Sequence, residues 1–78
     1  MGKLPSFTPK KIIKILQSKG FVFKRSTGSH QVFQNKQTGK RTVVPMHNRD
    51  LAIGTLLSIL KEAGIDKEEL ENEHKKKQ

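Results

Sequence analysis

The sequence predicts an α+β domain: a helix, a three-stranded antiparallel sheet and a second helix, followed by a short C-terminal helical appendix. Two observations predict this class. Apolar residues at helical spacing occur on both sides of three short β-rich runs, and brief polar turns join those runs. Such short connections join antiparallel strands, because parallel strands need a longer crossover. We therefore expect a sandwich in which both helices cover one face of the sheet and the other face is open to solvent.

The first helix is predicted to begin at Thr8 and Pro9 and to end near Gly20. Threonine is a favourable N-cap, proline is tolerated at the first helical position, and glycine is common just beyond a helix C-terminus. The apolar residues between positions 12 and 16 form its buried stripe, and its lysines lie on the other faces. One side of this helix is therefore expected to be strongly basic.

Strands are predicted at residues 21–25, 30–34 and 40–44, with glycine-containing turns between them and a proline after the third. The second helix is predicted to end at Gly64. Its buried face is expected to consist of residues at the spacing i, i+3, i+4, i+7, which are Ile53, Leu56, Leu57 and Leu60, extended by Leu51 and Ala63.

The C-terminal appendix begins where Asp66 and Glu69 have the spacing of a capping box, which predicts a last short helix as far as Asn72. The lysine-rich residues after it are expected to fray. We therefore expect residues 1–65 to form the single domain and residues 66–78 to form a short helix with a charged, flexible tail.

The charge is divided unevenly along the 78 residues, whose net charge is +9. Residues 1–49 contain eight lysines, three arginines and no carboxylate, a net charge of +11, whereas residues 50–78 contain five lysines and seven carboxylates, a net charge of −2. A surface this basic attracts polyanions. The absence of cysteine excludes a disulfide framework, a zinc ribbon and a thiol nucleophile. No apolar run is long enough for a membrane span or a signal peptide, so we expect a soluble, cytoplasmic protein.

Three histidines are the candidates for proton transfer, because histidine is the side chain that ordinarily titrates near neutrality. His74 lies in the lysine-rich tail and is expected to be solvated. His30 follows Gly28 and Ser29, where a turn opens into the second strand. His47 follows the end of the third strand. Adjacent strands can bring His30 and His47 together, but the spacing alone does not fix their distance.

The residue inventory favours one class of phosphodiester chemistry. Two-metal phosphodiesterases need several clustered carboxylates, and the basic part of the chain has none, which disfavours metal-dependent DNA cleavage. RNA carries its own nucleophile, the 2′-hydroxyl, so cleavage needs a base for that proton, an acid for the leaving 5′-oxygen and cations for the charge of the transition state. A histidine among lysines and arginines fits this scheme. The cations that flank the predicted strands are the candidates for binding RNA phosphates: Lys24, Arg25, Lys40, Arg41 and Arg49.

The order of several motifs resembles a known family. The run includes Lys19-Gly20-Phe21, Gly28-Ser29-His30, Pro45-Met46-His47, Gly54-Thr55-Leu56 and Ala63-Gly64-Ile65. In this order the chain resembles the HicA toxins of HicA–HicB toxin–antitoxin modules, over residues 9–65.

This resemblance implies a fold like that of the double-stranded-RNA-binding domain, metal-independent and ribosome-independent cleavage of mRNA, and neutralisation by a HicB-like antitoxin that covers the active site. The catalytic histidine of the family corresponds to His30, supported by Gly28 and Ser29. His47 corresponds to a second histidine, as a proton-transfer or phosphate-binding group. Met46 departs from the family at a position that is often basic, which weakens the case for a phosphate contact there.

A non-catalytic module that binds double-stranded RNA is the main alternative, because such modules share this architecture and a glycine-flanked histidine loop. They need a lysine cluster at the start of the second helix to meet phosphates across the major groove. Here Lys61 is the only lysine of that helix, near its end. An adaptor or an inactive toxin is a further alternative.

Overall fold

The chain folds as a helix, three antiparallel strands and a helix in a computed structural model that describes residues 6–47 and 49–70. The elements in chain order are α1 (Pro9–Ser18), β1 (Phe21–Thr27), β2 (His30–Asn35), β3 (Arg41–Pro45) and α2 (Ile53–Ala63). The strands form one sheet with β2 in the centre. This architecture confirms the predicted α+β class. Within the described part of the chain, no helix has the length and apolar character needed to cross a membrane.

Helix α1 begins and ends where the sequence predicts. The Thr8 hydroxyl accepts a hydrogen bond from the backbone N–H of Lys11 at 3.3 Å, and Pro9 is the first helical residue. After the helix, Gly20 adopts a positive φ of 100° and turns the chain into β1. The buried residues of this helix, Ile12, Ile15 and Leu16, pack against the sheet as part of the core.

Helix α2 buries only part of the predicted stripe. Its buried residues are Leu56, Ile59, Leu60 and Ala63. Ile53 and Leu57 are 57% and 43% exposed, so their assignment to the core was wrong. The helix contains two overlapping sets at the spacing i, i+3, i+4, i+7, and the set nearer the C-terminus is the one that packs on β3.

The turn between β2 and β3 is organised by Asn35, whose side chain is buried. Its Oδ1 accepts the backbone N–H groups of Gln37 and Thr38 at 2.8 and 3.2 Å, and its Nδ2 donates to the carbonyl of Lys19 at 3.0 Å. One amide therefore fixes the turn and ties it to the end of α1. Because β3 begins at residue 41, Lys40 lies in this turn rather than in the strand as predicted.

The segment that follows residue 65 packs against the helix side of the fold. Residues 67–70 are helical, and the Glu69 carboxylate accepts the backbone N–H of Asp66 at 3.4 Å, as the capping-box spacing predicts. Lys19 forms a 2.9 Å ion pair with Glu69, and Leu70 is completely buried in the core. The predicted helix end at Asn72 and the tail with His74 lie outside the described residues.

Candidate active site on the open sheet face

The β1–β2 hairpin places His30 at the beginning of the central strand. Thr27 and His30 pair across the two-residue loop Gly28-Ser29, and Gly28 has the positive φ (59°) that a type II′ turn requires at its first loop residue. A Cβ atom at Gly28 would meet nothing within 4 Å, so glycine is needed there for its backbone conformation. On its other side, His30 pairs with Pro45 of β3. The backbone of His30 is therefore held between two strands.

The register of the sheet brings His30 and two arginines to the same side. Side chains alternate along a strand, and directly paired residues share a face. Phe21, Phe33 and Val44 lie on the face that the helices cover. The opposite side, here called the open face, is lined by Val22, Arg25, Thr27, His30, Val32, Gln34, Arg41, Val43 and Pro45. His30, Arg25 and Arg41 are all exposed on it, around a centre of three valines.

A β-bulge in β1 determines which face Arg25 occupies. The register shifts between Phe23 and Arg25, so Lys24 is an extra residue in the ladder. Phe23 pairs with Phe33 on the helix side, where their rings meet edge-on at 5.9 Å, whereas Arg25 pairs with Val32 on the open face. Without the extra residue, strict alternation would put Arg25 on the same face as Phe23. Bulges commonly redirect side chains beside active sites in this way.

The segment that contains His47 lies directly beside the β1–β2 turn. The backbone N–H of Met46 donates to the carbonyl of Ser29 at 2.6 Å, and the Met46 side chain packs against the core. Met46 is thus a packing residue, which accounts for an apolar side chain at this position. His47 is exposed, and its Nδ1 accepts the backbone N–H of Arg49 at 3.2 Å. The backbone segments of His30 and His47 are therefore adjacent.

The five candidate phosphate-binding cations occupy different places. Arg25 and Arg41 lie on the open face with His30, and Lys24 is exposed at the bulge. Arg49 is exposed in the loop after His47. Lys40 lies apart from them, because its aliphatic side chain passes over Gly64 at the end of α2. A Cβ atom built on Gly64 would come within 2.8 Å of the Lys40 Cε. A cation at that position is favourable for the carbonyl end of the helix.

Two carboxylates are tied into the helix side of the fold. Glu62 accepts a hydrogen bond at 2.8 Å from the hydroxyl of Thr42, which is buried on the helix-covered face. The Lys19 ammonium donates to Glu69 and, together with the backbone N–H of Asp66, holds the pKa of that carboxyl below its ordinary value of 4.5. Asp50 is exposed in the loop that follows His47. Residues 6–47 and 49–70 contain no group of three or more His, Asp or Glu side chains placed to hold a metal ion.

Sequence reasoning missed Thr27 and the valine centre of the open face. Thr27 is directly opposite His30, so the two exposed residues share the open face. The dipeptide Gly28-Ser29 is typical of a two-residue hairpin loop, and such a loop pairs the residues on either side of it, which are Thr27 and His30. The grouping of Val22, Val32 and Val43 depends on strand register, which alternation within single strands does not give.

Comparison with known families places this site in context. The family model for the HicA toxin of bacterial toxin–antitoxin systems matches residues 9–65, from the first residue of α1 to the residue after Gly64. A comparison with curated proteins gives no match. The family match covers well over half of the chain and includes the whole sheet and both main helices. The chain therefore belongs to the HicA family, whose members are toxins of bacterial toxin–antitoxin systems and are generally ribonucleases.

Proposed function

We propose that the protein is an endoribonuclease that cleaves mRNA without a metal ion, with His30 as its general base. The observation that carries this proposal is the position of His30, fixed between two strands on the same open face as Arg25 and Arg41. A general base must approach its proton from a fixed position, and cations beside it stabilise the charge of a phosphoryl transition state. His30 and the nearer arginine, Arg25, combine these requirements on this face.

In the proposed reaction, His30 takes the proton of a ribose 2′-hydroxyl, and the 2′-oxygen attacks the adjacent phosphorus. The 2′-O–P bond forms as the P–O5′ bond breaks, and the leaving 5′-oxygen takes a proton from water. The products are a 2′,3′-cyclic phosphate and a 5′-hydroxyl end. Arg25, two rungs of the ladder from His30, offsets the negative charge that develops on the phosphoryl oxygens, whereas Arg41, paired with Gln34 at the other end of β2, binds a phosphate farther along the RNA.

The arrangement of the carboxylates supports a metal-free mechanism. All three strands lie within the first 49 residues, which contain no Asp or Glu. Glu62 and Glu69 bond to Thr42 and Lys19 instead. Asp50 is the carboxylate nearest to His47 in the sequence, and a two-metal site needs several such groups.

We further propose that a HicB-like antitoxin neutralises the protein by covering the open face. A partner for a surface with exposed Arg25 and Arg41 gains from presenting carboxylates, because complementary charge speeds association and fixes the register. An mRNA substrate also places the activity in the cytoplasm.

The test compares His30→Ala with Gln37→Ala, a variant of an exposed residue in the turn at the other end of β2. His30→Ala is expected to cleave mRNA at least about 10²-fold more slowly, the usual contribution of a general base, with an unchanged Tm. Gln37→Ala is expected to match the wild type. Cleavage should persist in EDTA and leave a 2′,3′-cyclic phosphate.

Wild-type rates in the purified His30→Ala variant would show that the assigned base is wrong. A requirement for added Mg²⁺ would show that the metal-free mechanism is wrong. If the wild-type protein binds RNA duplexes tightly and does not cleave RNA, the non-catalytic binding module replaces the nuclease.

A further inference from the structure

We propose that His47 acts in the RNA cleavage as a neutral hydrogen-bond donor, through Nε2, to a phosphoryl oxygen, and that it transfers no proton. This proposal rests on the proposed ribonuclease function. It assigns one role to a residue for which sequence reasoning left two roles open.

The backbone brings His47 within reach of a phosphate held at His30. Paired Cα atoms in an antiparallel sheet are about 5 Å apart, and an extended chain advances about 3.4 Å per residue. His47 is two residues beyond Pro45, the partner of His30, so the Cα atoms of the two histidines lie within about 12 Å. The preceding residue, Met46, packs against the core, and its N–H is bonded to the Ser29 carbonyl, which directs His47 away from the core.

The hydrogen bond from Arg49 determines which nitrogen of His47 is a donor. A neutral imidazole has one N–H donor and one acceptor nitrogen. Because Nδ1 accepts the Arg49 backbone N–H at 3.2 Å, the proton of the neutral ring lies on Nε2. Nε2 then has no lone pair with which to take a proton from the 2′-hydroxyl. An imidazolium would need a proton on Nδ1 and would lose the bond to Arg49.

His30 differs from His47 in this respect. Among residues 6–47 and 49–70, no residue forms a hydrogen bond with the His30 ring, so either of its nitrogens is available to accept a proton. The two histidines therefore have different roles: His30 accepts the proton of the 2′-hydroxyl, and His47 stabilises the negative charge on a phosphoryl oxygen. A donor that is already oriented adds to the stabilisation from Arg25 without reorganising during the reaction.

The experiment compares His47→Ala with His47→Gln in RNA cleavage, with Tm as the folding control. A glutamine amide donates a hydrogen bond but cannot transfer a proton at neutral pH. Removal of one oxyanion donor typically costs about 10²-fold, so we expect a loss of this size for His47→Ala and recovery of most of it in His47→Gln. The pH–rate profile of His47→Ala should keep the shape of the wild-type profile and shift only in height.

A substrate with sulfur in place of the bridging 5′-oxygen separates the two roles, because a thiolate leaves without a proton. If His47 is a hydrogen-bond donor, His47→Ala should reduce the cleavage rate by the same factor on the oxygen substrate and on the sulfur substrate. If the loss disappears on the sulfur substrate, if His47→Gln is as slow as His47→Ala, or if His47→Ala cleaves at the wild-type rate, the proposal is wrong.

The tautomer of His47 provides a readout that does not depend on activity. Long-range ¹H–¹⁵N spectra of the wild-type protein at neutral pH should show the His47 proton on Nε2. A proton on Nδ1 would overturn the proposal even if the nuclease assignment holds. Failure of the wild-type protein to cleave RNA would instead refute the proposed function.

Discussion

Arg25 is expected to contribute to cleavage by binding the scissile phosphate. It pairs with Val32, two rungs of the ladder from the Thr27–His30 pair, which is about 7 Å along the strand. An arginine side chain on the same face spans that distance and matches the geometry of phosphate oxygens. The Arg25→Ala substitution removes this contact and leaves the strand pairing, which uses backbone groups, in place.

The size of the effect follows from the exposure of the site. Two unit charges 4 Å apart interact by about 1 kcal/mol in bulk water and about 4 kcal/mol at the effective dielectric constant near a protein surface. Because Arg25 is exposed, we expect a value near the lower part of this range, about 2 kcal/mol. At about 1.4 kcal/mol per factor of ten, kcat/KM should fall by about 30-fold. Loss of one phosphate contact should also reduce the salt slope of binding to single-stranded RNA by about 0.7.

The assay measures cleavage of one RNA by wild type, Arg25→Ala and Lys36→Ala, and RNA binding by inactive His30→Ala versions over a range of salt concentrations. Lys36→Ala removes the same charge from an exposed site in the turn at the far end of β2, so it controls for net charge. If Arg25→Ala and Lys36→Ala have equal rates and equal salt slopes, the reasoning is refuted, because net charge alone then explains the binding.

Two further predictions concern stability. Leu70→Ala should lower the free energy of unfolding by about 2–5 kcal/mol in urea titrations, since Leu70 is completely buried. Leu57→Ala, on the exposed side of α2, is the control and should lower it by less than about 1 kcal/mol. Equal small losses in the two variants would show that the core ends before Leu70. The lowered pKa of Glu69 means that its pair with Lys19 stabilises the fold above pH 4.5 and that this contribution disappears as the pH falls through the lowered pKa. The free energy of unfolding of the wild type should therefore exceed that of Glu69→Gln by at most about 1 kcal/mol at pH 7, and the two should be equal at strongly acidic pH. A difference in stability that persists in acid would contradict this role of the ion pair.

The helix ends were predictable because they depend on local chemistry. A helix end is determined by the backbone conformation and side chain of the capping residue itself. The caps Thr8, Pro9 and Gly64 each lie where the sequence predicts. The buried face of α2 was predicted only in part, because two apolar stripes overlap in one helix. Contact with β3 selects the stripe that contains Ile59 over the one that contains Ile53, and periodicity carries no information about that contact.

The open face was predictable as a surface but not in its composition. The order of the elements predicted that one face of the sheet is uncovered, and the Gly-Ser-His run predicted His30 at the start of a strand, as found. The bulge at Lys24 was not predictable, because nothing in the run from Phe21 to Thr27 identifies which residue is extra. Since Arg25 and Thr27 follow the bulge, their place beside His30 depends on pairing with β2.

The charge asymmetry of the sequence becomes an asymmetry between the two faces of the sheet. Glu62 bonds to Thr42 on the helix-covered face, and Glu69 joins the appendix to α1, so these two carboxylates have structural roles behind the sheet. The strands contribute arginines to the open face and no carboxylates. An RNA that binds this face, as we propose, would meet no repulsion from the strands. For the same reason, an antitoxin that competes for this face must supply the carboxylates itself, and substituting those carboxylates should release the toxin without altering the toxin's own fold.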